Sequence, residues 1–119
     1  MQDFRNLKVW QKSHALTLDV YCSTRNFPAD ERFGLTAQLR RSCASVPANL
    51  AEGCAWASDV DFARFVNNSA GSASETDYHL LLARDLDYFT DAVYLPLFEQ
   101  VSEVKRMLVS FERTLRGIS

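Results

Sequence analysis

Apolar residues along the chain recur at intervals of three and four, not two, in four separate stretches. That spacing is the mark of amphipathic α-helices. The first stretch, residues 8–25, sets Val9, Leu16 and Val20 on one stripe with Trp10, Thr17 and Tyr21 beside it. Asn26-Phe27-Pro28-Ala29-Asp30 ends it, because proline disfavours helical backbone at the residue before it. The second, 33–57, aligns Leu35, Leu39, Val46, Leu50 and Gly53, with Pro47 inside the pattern as an expected bend. The third, 59–89, opens on Ser58 as a cap with Asp59 and Asp61 in the first turn. Phe62, Val66, Ser69, Ala73, Leu80 and Arg84 line its inner face, and nothing stops it before about Phe89. The fourth, 92–116, carries Leu97, Val101, Val104, Leu108, Phe111 and Leu115 as one stripe.

Four amphipathic helices joined by short connections predict an all-α fold, an antiparallel up-down-up-down four-helix bundle forming a single domain over residues 1–119. Two helices carry a second face. Ala37, Ala44, Ala48, Ala51 and Ala55 fall roughly opposite the leucine stripe of the second helix. This is either a wet face rich in good helix formers or a face that another backbone approaches closely. Tyr78, Leu82 and Phe89 lie behind the inner face of the third helix. A helix apolar on two sides is normally covered on both, and so short a chain has little left to cover it. The expectation is a ring-like homo-oligomer, with Ala44, Ala48, Ala51 and Ala55 on one side of each contact and Tyr78, Leu82 and Phe89 on the other.

Composition narrows the class. The 119 residues are 47% hydrophobic and 24% charged, with four glycines and three prolines, which suits one helical domain and not a disordered or turn-rich β chain. A net charge of −2 and a pI near 5.6 exclude a globally basic nucleic-acid binder. No apolar run reaches the length of a membrane span, and the opening Met1-Gln2-Asp3-Phe4-Arg5 does not read as a signal peptide. Cys22, Cys43 and Cys54 are an odd number at unpatterned spacings, so a reducing cytoplasm is expected in place of a disulfide framework.

Catalytic parts are scarce. Glu75 and His79 share a helix face, but there is no Glu-x-x-His motif, no Cys-x-x-Cys pair, no phosphate loop and no nucleophile elbow. The expectation is no catalytic residue, no metal and no cofactor. One polar sector stands out: Gln38, Arg41, Ser45, Asn49, Glu52 and Trp56 on the second helix, faced by Ser72 and Glu75 on the third. It is either a solvated face or a network at a helix or subunit seam, where arginine's planar fork pairs bidentately. The candidate network is Arg41, Asn49, Glu52, Ser72 and Glu75. Charge is also segregated: five acids against Arg84 between residues 75 and 91, then four basic residues against Glu112 from Lys105 onwards.

The residues carry a family resemblance. Asp3-Phe4-Arg5-Asn6-Leu7-Lys8-Val9-Trp10-Gln11-Lys12, Phe33-Gly34-Leu35-Thr36-Ala37-Gln38-Leu39-Arg40-Arg41-Ser42 and Ser45-Val46-Pro47-Ala48-Asn49-Leu50-Ala51-Glu52-Gly53 resemble the four-helix bundle family of the 23S rRNA intervening-sequence protein, also labelled the S23 ribosomal protein family. Ser72, Glu75, Leu80, Ala83, Leu86 and Tyr88 fit its third-helix pattern. The resemblance implies a bacterial, cytosolic bundle assembled as a homopentamer. A distant branch resembles retroelement accessory proteins, which are basic pentamers that bind nucleic acid. Relatives commonly carry an aromatic residue and a basic pair after the Glu-Gly, where this chain has Cys54-Ala55-Trp56-Ala57-Ser58 and no cation.

The expected function is therefore a non-enzymatic homo-oligomeric scaffold or adaptor, whose Trp56 packs locally or anchors a protein partner. The alternative is an RNA- or DNA-binding accessory protein using Arg40, Arg41, Lys105, Arg106, Arg113 and Arg116. No membrane partner is expected.

Overall fold

A computed structural model describes residues 2–55 and 58–117. The expectations for Trp56 and Ala57 lie outside the described residues. Four helices account for most of the chain: α1 (Lys8–Ser23), α2 (Leu35–Gly53), α3 (Asp59–Asp85) and α4 (Asp91–Leu115). Short 3-10 turns at Phe4–Asn6 and Ala29–Glu31 precede α1 and α2. There is no strand among the described residues.

Each helix packs on two neighbours in the cyclic order α1–α2–α3–α4. Cross-helix pairs fix the directions. Thr17 meets Cys43 and Thr24 meets Arg40 between α1 and α2. Ser42 meets Thr76 and Val46 meets Ser69 between α2 and α3. Phe62 meets Phe111 and Asp77 meets Lys105 between α3 and α4, and Lys12 meets Glu103 and Asp19 meets Gln100 between α1 and α4. In every pair rising numbers on one helix meet falling numbers on the next, so the bundle is antiparallel, up-down-up-down. It measures 43 × 25 × 20 Å.

The expected stripes form the core. Val9, Leu16, Val20, Leu35, Leu39, Val46, Leu50, Val66, Leu80, Val101, Val104 and Leu108 are all buried. Cys43 and Cys54 are buried free thiols, and burial pushes the Cys43 thiol up to about 11. Among the described residues, no buried side-chain nitrogen or oxygen lacks a hydrogen-bond partner.

Helix ends differ from expectation, each for a local reason. α2 starts at Leu35, two residues late, because the Glu31 carboxylate accepts the Leu35 N–H at 3.0 Å and the Tyr88 hydroxyl at 2.8 Å. Those two bonds hold the Glu31 carboxyl below its usual range. α2 stops at Gly53, where α3 closes in, instead of running to residue 57. α3 stops at Asp85 and not at Phe89. Asp87 takes a left-handed conformation (φ 62°), the Tyr88 N–H reaches the Ala83 carbonyl and the Asp87 N–H reaches that of Arg84. This is a Schellman cap built on aspartate, where glycine is the usual signal.

Candidate functional site

The segment Ser45–Gly53 packs closely against α3. Pro47 has no N–H, so the Cys43 carbonyl loses its helical donor. The Thr17 hydroxyl of α1 supplies a replacement at 3.4 Å, shared with its 2.8 Å bond to the Ser13 carbonyl. On the opposite flank the Ser69 hydroxyl of α3 donates to the Val46 carbonyl at 2.8 Å. Gly53 faces Phe62 and Phe65, and a Cβ there would lie 2.6 Å from Phe62 Cδ1 and 2.9 Å from Phe65 Cβ. Proline and glycine thus serve close packing of α2 between α1 and α3.

A polar chain runs along the α2–α3 seam. The Arg41 guanidinium pairs with the Glu75 carboxylate through Nη2 and Oε2, and its Nε and Nη2 also donate to Gln38 Oε1 at 3.1 and 3.0 Å. His79 Nε2 lies 3.8 Å from the same Glu75 oxygen, while His79 Nδ1 and Ser42 Oγ are 3.3 Å apart. Thr76 Oγ1 is 3.0 Å from Ser42 Oγ and donates to the Ser72 carbonyl at 2.8 Å. One turn on, Ser45 and Ser72 hydroxyls meet at 2.9 Å, and Asn49 Nδ2 donates to the Ser45 carbonyl and hydroxyl at 2.9 and 3.0 Å. Burial lowers the His79 pKa, opposed by Glu75 and assisted by Arg41.

The expected network is therefore brought together at Arg41, Glu75, Asn49 and Ser72, the last two through Ser45. Glu52 is the exception. It is exposed and three turns from Arg41, and it joins no ion pair among the described residues. Sequence reasoning missed Ser42 and Thr76, and it set His79 beside Glu75 without joining it to the network. The available signal was that Ser42 and Thr76 interrupt otherwise apolar inner faces. Serine, histidine and glutamate in sequence invite comparison with a hydrolytic triad, but Ser42 is 0% exposed and cannot meet a substrate. No group of three or more His, Cys, Asp or Glu side chains suited to a metal occurs among the described residues.

The outward faces flank this seam. On α2, Ala48 is exposed and Ala44 and Ala51 are half-buried, whereas Ala55, expected on the same stripe, lies beyond the helix in the turn after Gly53 because α2 ends there. On α3, Tyr78 is 57% exposed and Leu82 half-buried against the core. Phe89 corrects the expected outer patch. It sits beyond the end of α3 and packs inward, buried and 5.0 Å from the Phe27 ring.

The candidate phosphate contacts mostly have internal partners. Arg40 donates to Thr24 Oγ1 at 2.8 Å and to the Tyr21 carbonyl, with its guanidinium over the Tyr21 ring. Arg41 is in the seam, Lys105 pairs with Asp77 at 3.1 Å and Arg116 with Glu112 at 3.1 Å. Arg106 and Arg113 are exposed and unpaired among the described residues.

Comparison with known proteins completes the site. Residues 5–110 match the pattern of the 23S rRNA-intervening sequence protein family. The chain belongs to that family. A crystal structure from Bacteroides thetaiotaomicron, a protein of unknown function from the S23 ribosomal protein family, superposes with a TM-score of 0.79 at 27% identity. The match covers 88% of this chain and 98% of that one. No curated protein matches. The family assignment places the Pro47 and Gly53 packing inside the matched segment. No helix among the described residues is long and apolar enough to cross a membrane.

Proposed function

We propose that this member of the family is a non-enzymatic, cytoplasmic homo-oligomeric scaffold, a closed ring of about five copies that presents protein-binding surfaces. The observation that carries the reading is the pair of outward faces on α2 and α3. Ala48 gives α2 an exposed small-residue position that admits a close backbone approach, and α3 exposes the Tyr78 ring on its own outward side. In a ring each contact is heterologous, so the alanine face of one copy meets the Tyr78–Leu82 face of the next. The seam lends catalysis little support, since the serine beside His79, Ser42, is enclosed and Arg41 and Glu75 neutralise each other.

The second reading is nucleic-acid binding, favoured by the unpaired Arg106 and Arg113, seven residues apart on one exposed side of α4. Two free cations supply little of the phosphate neutralisation on which non-specific binding depends. Size-exclusion chromatography with light scattering, read at 260 and 280 nm, tests both. A mass of about five chains with a protein-like absorbance ratio is expected for the ring. A monomeric mass would overturn it, and excess 260 nm absorbance removed by nuclease would install the nucleic-acid reading instead.

A further inference from the structure

A cleft of about 470 Å³ opens on the flank of the bundle, where the first turn of α1 meets the last turns of α4. Leu7, Val9, Met107 and Phe111 form its apolar walls, Lys8 and Arg106 stand at its rim, and no acid lines it. Of the neighbouring cations, Lys12, Lys105 and Arg116 are each paired with an acid, and Arg113 is exposed and unpaired among the described residues. Lys8 and Arg106 are exposed and have no acidic partner among the described residues.

The opposite end of the 43 Å bundle carries the complementary pattern. There α3 turns through Asp85-Leu86-Asp87, with the left-handed Asp87 reversing the chain. Leu86 is 45% exposed between two exposed acids. Asp85 approaches only Arg84 Nε, at 3.9 Å, a group also 3.8 Å from Asp91. Asp87 makes no ion pair among the described residues. An acid–apolar–acid knob and a cation–apolar–cation socket thus occupy one chain, too far apart to meet within it.

The geometry points to a head-to-tail contact in which the Asp85-Leu86-Asp87 turn of one copy seats in the Lys8/Arg106 cleft of a second copy. Leu86 fills the apolar floor while the flanking carboxylates reach the rim cations. The sign of the rim cations selects an acidic occupant, and the apolar floor selects one that carries an exposed aliphatic side chain, as Leu86 does between its two acids. The segregation of charge along the chain, acids through 75–91 and bases from Lys105, orients two molecules the same way. Such a contact does not use the α2 and α3 outward faces, so it stands apart from the ring reading. Being heterologous and end-directed, it adds copies or rings in series.

Sedimentation velocity over a concentration series, at low and high salt, tests the contact on the full chain. The wild type is expected to gain mass with concentration at low salt and to lose that gain at high salt. A socket variant, Lys8→Glu with Arg106→Asp, and a knob variant, Asp85→Lys with Asp87→Lys, should each weaken the association by about tenfold or more. Their equimolar mixture should restore it, because every knob then finds a socket of opposite charge. Leu86→Ser, which changes no charge, should weaken it as well. Variants that associate like the wild type, or a mixture no stronger than its parts, would overturn the contact. So would a wild-type mass independent of salt and concentration, the result expected if the cleft serves an acidic segment of another protein.

Discussion

Three residues set the packing of α2, and each does so through an atom it lacks or adds. Pro47 removes an N–H, Gly53 removes a Cβ, and Thr17 returns a hydroxyl donor to the carbonyl that Pro47 orphans. Gly53→Ala should therefore destabilise the fold although alanine is the better helix former. Helix propensity returns about 1 kcal/mol, whereas the new Cβ drives into the Phe62 ring and the backbone-anchored Phe65 Cβ, an overpacking cost of about 1–3 kcal/mol. A net loss of about 1 kcal/mol in urea unfolding is expected, and a gain would refute the close-approach account. Thr17→Val leaves the Cys43 carbonyl without a donor across the helix pair and should cost about 1 kcal/mol, with Thr17→Ser near neutral. The proline and glycine were visible in the sequence as members of a motif. Their purpose was not, because the partners Thr17, Phe62 and Phe65 lie on other helices.

At the scale of elements, periodicity carried most of the information. Helix existence and inner faces follow from apolar spacing, which is local. Helix ends follow from caps, which here use unusual chemistry: a glutamate four residues ahead of Leu35 and an aspartate in the left-handed position after α3. Neither resembles the serine and glycine signals that sequence reading relies on. The polar seam was legible only as a sector of one helix. Its closure through Ser42, Thr76 and His79 depends on the register of α3 against α2, which no single-helix pattern contains. The seam has a pH consequence. His79 is 13% exposed by side chain, and its pKa lies below the ordinary 6.5 because burial disfavours the imidazolium. Above pH 6.5 the imidazole is neutral in both folded and unfolded chains, and stability is full. As pH falls below 6.5 the unfolded chain takes up a proton that the folded one refuses, so stability declines until the folded value is passed. The urea midpoint should be lower at pH 5.5 than at pH 7.5, and His79→Gln should flatten that difference. A midpoint that rises on acidification would mean that Glu75 outweighs burial.

The whole molecule presents a different problem from its parts, because a surface that is finished and one that awaits a neighbour obey the same local rules. The inner stripes were readable because each must meet those of its two neighbours inside one chain. On the alanine face of α2, Ala51 and the following Ala55 line a cleft with Phe4 and Arg5 of the N-terminal turn, while Ala48 is exposed and open to a neighbour. Ala48→Glu separates the two cases. Ala48 is exposed within the chain, and glutamate is a good helix former, so far-UV circular dichroism and the monomer's urea midpoint should change little. Pressed against another copy, the new carboxylate would be buried without a partner, at a cost of about 3 kcal/mol or more for each contact. That corresponds to roughly a hundredfold loss of association, enough to release single chains at micromolar concentration. Tyr78→Asp should act in the same way from the other side of the contact, while Arg106→Asp should leave the ring intact. An Ala48→Glu protein that keeps both its helicity and its assembled mass would show that the alanine face is simply wet, and would move the search for a subunit contact to the exposed apolar residues of α4.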